Sequence, residues 1–533
     1  MRSTFMGLET AKRGMFAQQS ALQVTGNNIA NANTEGYTRQ RVNMRSSEQY
    51  PSVSLNRPQI PGQMGTGVEV DSVQRVRESF LDTQFRSENN KLGYWENRAN
   101  ALEKMEEIMN EPSDTGLSIT LDRFWQSLQD LSLDPTNAGA RSVVRERGIA
   151  VAETFNYLST SLKSVQGDLK NELEVSVKEL NSIATQINNI NKQISEIEPH
   201  GYLPNELYDE RDRLLDKLSS LANVKVTNHP SGGNALKIAE GTFSVEIVDN
   251  TGKVLGTLVD AKQQRVNELG INYSTITEDG KAKDGLVTSI KIGSKTLDVM
   301  DFNSAGKISS LIDSYGYTQE LPDETFTEEG LYPSMLNNLD LMAHEFAQQF
   351  NEVHHKGWSI KDYDANKVPI EPDVKAAQEK IDFFTVGDSQ KGAAGIITIS
   401  DKIIESTDYI AAAAMVNGKA PEIGNGNNAV NLAAVKNDSF LIGTVTSTFQ
   451  NFYENIIGGM AVNAQEAERL TSNSTVLRDS VDQRRQSVSA VSLDEEMTNM
   501  IQFQHAYNAS ARMITLQDEI LDKIINGMGL SGR

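Results

Sequence analysis

Cysteine is absent from the 533 residues. That excludes disulfides, thiolate nucleophiles and cysteine-based metal sites together, and leaves packing to hold the fold. No apolar run approaches the ~20 residues that cross a bilayer, so no membrane insertion is expected. Basic residues fall short of acidic ones, 50 against 72, for a net charge of -22. A nucleic-acid binder needs a clustered basic surface to neutralise phosphates, so nucleic acid is not among the expected partners. The opening residues, MRSTFMGLETAKRGMFAQQSAL, carry basic groups but neither a continuous apolar stretch nor a small-residue cleavage site. A cleaved signal peptide is therefore not expected.

What is present is strong helical periodicity at both ends. From Leu493 the residues Met497, Met500, Gln504, Tyr507, Ala511, Ile514, Asp518, Leu521, Ile525 and Met528 follow at steps of four and three, a heptad seam broken only by Gln504 and Asp518. Near the N-terminus Leu8, Met15, Leu22 and Ile29 repeat at seven, supported by Phe5 and Ala11. Chain ends fray unless something ties them down. Two striped ends therefore predict helices that pair with each other and with neighbouring subunits. Their charges agree in sign with such pairing, since Arg2, Lys12, Arg13, Arg39, Arg41 and Arg45 outnumber acids at one end while Asp494, Glu495, Glu496, Asp518, Glu519 and Asp522 outnumber bases at the other.

Between the ends the texture changes twice. Leucine, valine and isoleucine at helical spacing run from Leu158 to Ile197, stop at Pro199 and Gly201, and return from Leu207 to Leu221, predicting an antiparallel helical hairpin joined by PHGYLP. Residues 224–330 hold short β-like runs such as TFSVEIVD and LVTSIKIG separated by turn clusters. Helix is expected again over 334–356 and from 439 onward, with a mixed segment between. The predicted fold is multidomain α+β, with a terminal α-helical coiled coil, an elongated helical rod domain and inserted β-rich domains. Residues 1–45 with 491–533 form the terminal domain, 46–223 with 331–358 and 436–490 the rod, and 224–330 with 359–435 the β-rich insert.

Catalytic motifs fail on inspection. HEFAQQFNEVH (344–354) puts His344, Glu345 and His354 where a zinc protease has its first ligand, base and third ligand, but Gln348 stands where the second His should be. Asp362, Asp364 and Asn366 open like a calcium loop, yet Lys367 replaces the turn glycine. GNGNNA (424–429) lacks the strand that a dinucleotide site needs. Neither enzymatic activity nor any metal or cofactor is expected.

The segment SALQVTGNNIANANTEGYTRQRV (20–42) resembles the signature of bacterial flagellar axial proteins, the rod, hook and hook-associated family. SLDEEMTNMIQFQHAYNASARMI (492–514) is similar to that family's terminal motif. LYDERDRLLDKLSSL (207–221), FNEVHHKGW (350–358) and GNGNNAVNLAAV (424–435) extend the resemblance through the interior. EGYTRQ and SLDEEM resemble the members that join hook to filament more than rod or hook subunits. The resemblance implies a structural subunit between hook protein and a second hook-filament junction protein, in contact with other copies of itself. It also implies export through the flagellar type III apparatus without a cleaved signal, escorted by a chaperone on the C-terminal helix. By this reading the seams would pack Leu8, Met15, Leu22 and Ile29 against Leu493, Met497, Met500, Tyr507, Ala511, Ile514, Leu521 and Ile525. Asn28, Ala30, Asn31, Asn33, Gly36 and Tyr37 would form the family's turn out of the first helix. A surface adhesin using the β-rich insert is the alternative from a different class.

Overall fold

The computed structural model describes residues 5–51, 53, 55, 62–278, 281–320, 326–364, 366–376, 380–416 and 419–527. Helix α1 (Met6–Ala30) leads into an antiparallel hairpin of β1 (Gln40–Ser46) and β2 (Val68–Arg75). Helix α2 (Ser79–Met109), α3 (Leu117–Leu133), the 60-residue α4 (Ala138–Ile197) and α5 (Asn205–Leu221) follow. The side chain of Asn137 caps α4, accepting from the backbone of Gly139 and Ala140, and Gly201 in the left-handed region turns the chain after it.

Two sheets come next. One is the antiparallel meander β3 (Val224–His229), β4 (Thr242–Val248), β5 (Val254–Asp260) and β6 (Arg265–Val266). The other joins β7 (Leu269–Glu278), β8 (Lys281–Ile292) and β9 (Lys295–Asp298) to β10 (Tyr317–Glu320) and β11 (Phe326–Glu329), with helix α6 (Lys307–Tyr315) between β9 and β10. Both sheets rest on α4, and polar residues in its apolar stripe do the docking. Asn181 donates to the Leu269 carbonyl at 2.9 Å and accepts from the Leu269 amide at 2.8 Å. Asn191 brackets Phe243 in the same way, at 2.8 and 3.1 Å. A carboxamide thus stands in for a missing strand neighbour, satisfying backbone groups that burial would otherwise strand.

The body continues with α7 (Leu331–Lys356), the short α8 (Pro372–Ala376), the strand pair β12 (Phe384–Thr385) and β13 (Thr398–Ile399), α9 (Asp401–Glu405) and α10 (Asn427–Ala434). Phe124, Phe155, Phe346, Phe350, Phe383 and Phe384 are buried in one aromatic cluster, with Phe346 and Phe384 ring centroids 5.0 Å apart. Residues after 439 were expected to be helical, but they first form a hairpin of β14 (Phe440–Ile442) and β15 (Val445–Ser447). Gly443, at φ +62, makes the turn. Only then does α11 (Phe449–Ser489) begin, lying along α2, and α12 (Leu493–Gly527) returns to α1. No described helix is long and apolar enough to cross a membrane.

Candidate assembly joint and terminal helix pair

Helices α1 and α12 run antiparallel. A Cβ on Gly7 would come within 3.0 Å of the Gln517 side chain, one on Gly14 within 3.2 Å of Ser510 Oγ, and Asn28 meets Glu496. The buried face of α1 is small and polar, made by Ala17, Ala21, Thr25 and Asn28. Small residues let two helix axes approach closely.

Leu8, Met15, Leu22 and Ile29 stand one position further along and are half-buried beside that face. On α12, Met500, Tyr507, Ala511, Ile514 and Leu521 are likewise half-buried, whereas Leu493, Met497 and Ile525 are 47, 51 and 71% exposed. Met528 lies outside the described residues. The large apolar heptads pointed away from Gly7, Gly14 and Ala21, which with Asn28, expected only in the turn, repeat at the same spacing of seven.

The turn after α1 is built around Asn28, which is 1% exposed. Its Nδ2 donates to the Gln40 carbonyl at 2.9 Å and to Glu496 Oε2 at 3.0 Å, while its Oδ1 accepts from Tyr37 Oη at 2.8 Å and the Gln40 amide at 3.0 Å. Every donor and acceptor position of the amide is used. Burial, and next the charge of Asp209, push the Tyr37 phenol up to about 12. Asn31 donates from its side chain to the Asn27 carbonyl at 3.0 Å and closes the last turn of the helix. Ala30 and Asn33 are exposed. Gly36, at φ +81, lies on the Arg213 stem, 3.3 Å from where a Cβ would sit.

Arg39 ties this turn to the far end of the chain. Its amide donates to the Ser489 carbonyl at the close of α11 at 2.9 Å. Its guanidinium reaches Glu495 at 2.7 Å and Glu496 at 2.8 Å, in the first turn of α12.

Beneath the turn lies a buried ion-pair network. Asp209, Asp212 and Asp216 fall at i, i+3 and i+7 on α5, hence on one face. Arg75 reaches Asp209 at 2.6 Å and Asp212 at 3.0 Å. Arg77 forks onto Asp82 at 2.7 and 2.9 Å, and Arg86 bridges Asp212 at 3.0 Å and Asp216 at 2.8 Å. From α11, Arg485 pairs with Asp216 and Asp482 and covers the Phe85 ring at 3.9 Å.

Burial alone would raise the Asp212 carboxyl, but Arg77, Arg75, Arg86 and Arg211 together hold it well below the ordinary carboxylate range. Among the described residues Asp209 has only Arg75 as an ion-pair partner, so burial wins there and its carboxyl stays above that range. The segment LYDERDRLLDKL therefore supplies the acids that lock hairpin, α2, α5 and α11 into one joint.

The other interior segments also find each other. Asn428 donates to the Ala411 carbonyl at 2.7 Å and packs so tightly on Gly357 that a Cβ there would meet it at 2.1 Å. His354, the candidate third zinc ligand, is buried with both ring nitrogens engaged, Nδ1 at 2.9 Å from the Ile381 carbonyl and Nε2 at 3.0 Å from the Ala411 amide. Burial holds its ring down to about 4. His344 lies 3.2 Å from Gln348. Asp364 closes a tight turn by accepting from the amides of Asn366 and Val368.

Residues 102–367 match the family model described as the flagellar hook-associated protein FlgK helical domain. Residues 482–527 match the C-terminal model of flagellar basal body rod proteins FlgEFG, and residues 8–38 match the flagella basal body rod protein model. The chain is 48% identical to flagellar hook-associated protein 1 of Bacillus subtilis over 538 aligned positions, covering all of both chains. Its identity to the protein of that name from Salmonella typhimurium is 24%, over 97% of this chain and 98% of the other. The structure of the flagellar hook junction protein FlgK from Burkholderia pseudomallei shares the fold with a TM-score of 0.54 at 13% identity, covering 77% of this chain and all of that one. The chain belongs to the family of flagellar hook-associated protein 1.

Proposed function

We propose that this chain is a structural subunit of the zone joining the flagellar hook to its filament, and that filament assembly depends on it. The observation that carries the reading is the 48% identity to a flagellar hook-associated protein 1 over the full length of both chains. As a member of that family the chain is a structural flagellar component that self-assembles and associates with hook and filament parts. Its proposed immediate neighbours are further copies, hook protein on one side and a second junction protein on the other. The exposed Leu493, Met497 and Ile525, with the half-buried Leu8, Met15, Leu22 and Ile29, are proposed as contacts between subunits. Apolar side chains left in water on one chain favour being covered by the next. The same exposed stripe is the proposed hold of an export chaperone before assembly, and passage through the type III apparatus without a cleaved signal is part of this reading.

The proposed division of labour has the terminal domain (1–45 with 491–533) making the tube, the rod (46–223, 331–358 and 436–490) carrying it, and the insert (224–330 with 359–435) facing outward. The test is deletion of the gene in the source bacterium, with electron microscopy of the cell surface and an assay for flagellin in the medium. Bare hooks with flagellin lost to the medium are expected. Normal filaments would overturn the reading, and missing hooks would move the chain to a rod or hook position.

A further inference from the structure

We propose that the cleft between α2 and the β9–α6 connection binds a short neutral oligosaccharide. The cleft holds about 710 Å³, well within the size of ligand sites. Two of its walls are aromatic. Tyr94 and Trp95 line it from α2 with ring centroids 5.0 Å apart and planes at 86°, and Tyr317 closes it from the start of β10. A pyranose has an apolar C–H face that stacks on such rings and a rim of hydroxyls that must be hydrogen-bonded.

Groups suited to that rim are in place. Asn250 and Asn303 meet side chain to side chain at 2.9 Å and backbone to backbone at 2.9 Å at the exposed mouth. Tyr94 donates to Asp313 Oδ2 at 2.8 Å on the wall. Ser309 also lines the cleft, is 8% exposed, and its Oγ has no hydrogen-bond partner among the described residues. A buried hydroxyl left without a partner costs free energy unless something satisfies it.

Charge decides between saccharides. Lys91 and Asp313 line the cleft, and Arg98 stands close enough to act on both Tyr94 and Asp313, so the local charges nearly balance within a chain of net charge -22. The net negative charge of the chain disfavours uronates, sialates and phosphates, whereas hydroxyl and N-acetyl groups meet amides and aromatic faces. None of these side chains belongs to the joint or to the terminal helices.

Tryptophan emission gives the readout. Of the three tryptophans, Trp125 and Trp358 are 4% and 2% exposed, and Trp95 alone lines the cleft. The purified full chain should be titrated with chitotriose, cellotriose and maltotriose up to about 10 mM, alongside trigalacturonate as the anionic control, with calorimetry on each. At least one neutral trimer is expected to give a saturable emission shift, and the trigalacturonate shift is expected to be weaker. The double variant Asn250→Ala with Asn303→Ala, both at exposed positions, should keep its circular dichroism and bind the same trimer about tenfold less tightly. Heat without an emission change, no saturation with any neutral trimer, or equal affinity in the double variant would each overturn the proposal.

Discussion

Asn28 has a partner on each side of a chain reversal and another 468 positions away, so its substitution tests the joint directly. Asn28→Asp replaces an amide donor with a carboxylate facing Glu496, losing two donated bonds and adding like-charge repulsion. It should cost about 2–4 kcal/mol and be read as faster hydrogen exchange across residues 6–46 in the intact chain. Asp212→Asn leaves several guanidiniums facing a neutral group and should cost about 3–5 kcal/mol at neutral pH in denaturant unfolding. Because the folded carboxyl is held below its unfolded value, its contribution is complete above about pH 4 and is lost as pH falls further, so the gap between parent and variant should close there. His354 adds a second pH effect of its own. Its folded ring takes a proton only near 4, against about 6.5 unfolded, so stability should fall through that window by up to about 3 kcal/mol. His354→Gln should flatten the curve. At this scale the sequence announced a turn, through four asparagines and a glycine, but not what Asn28 holds. A partner so far along the chain leaves no local pattern.

At the scale of elements, the terminal helices were legible as helices and their contact face was not. Heptad reading weighs large apolar residues, and in α1 those lie beside the seam, while the seam itself is glycine, alanine, threonine and asparagine. Two predictions separate the faces. Ala21→Leu forces a branched side chain into a position 1% exposed and should part α1 from α12 at a cost of about 1–3 kcal/mol, seen as loss of exchange protection in both helices. Met497→Ala, at an exposed position, should leave that protection unchanged and instead reduce incorporation into flagella, measured by motility and by bare hooks on micrographs. The β1–β2 hairpin escaped the sequence reading because its strands are polar and are separated by a long connection. The asparagines of α4, to which apolar periodicity assigns no role, are the points where two sheets attach.

On the scale of the whole molecule, α4 is a continuous spine about 90 Å long at 1.5 Å per residue. It packs on α3, α5, α6 and α7 and on strands of both sheets, so helical body and β-rich part share one core. The terminal pair instead meets the rest of the chain through the β1–β2 hairpin beside α1, the turn after it and the ion pairs of Arg39, with much of its surface in water. Hydrogen exchange of the full chain should therefore resolve two tiers, with residues 6–30 and 493–527 opening well before α4 and α7. The α+β class was readable from periodicity. The joint was not, since Arg75, Arg77, Arg86 and Arg485, all more than 100 residues from the acids of α5, converge on carboxylates that look, in isolation, like an ordinary solvated helix face.

The antiparallel register of α1 and α12 also sets an order of events. A chain threaded from its N-terminus presents Asn28 and Arg39 long before Glu495 and Glu496 arrive, and until then the amide holds only its own turn and the guanidinium lacks both carboxylates. Closure of the terminal pair is thus a completeness check, because a product truncated between the end of α11 and residue 496 keeps every residue of the shared core but an end that stays open.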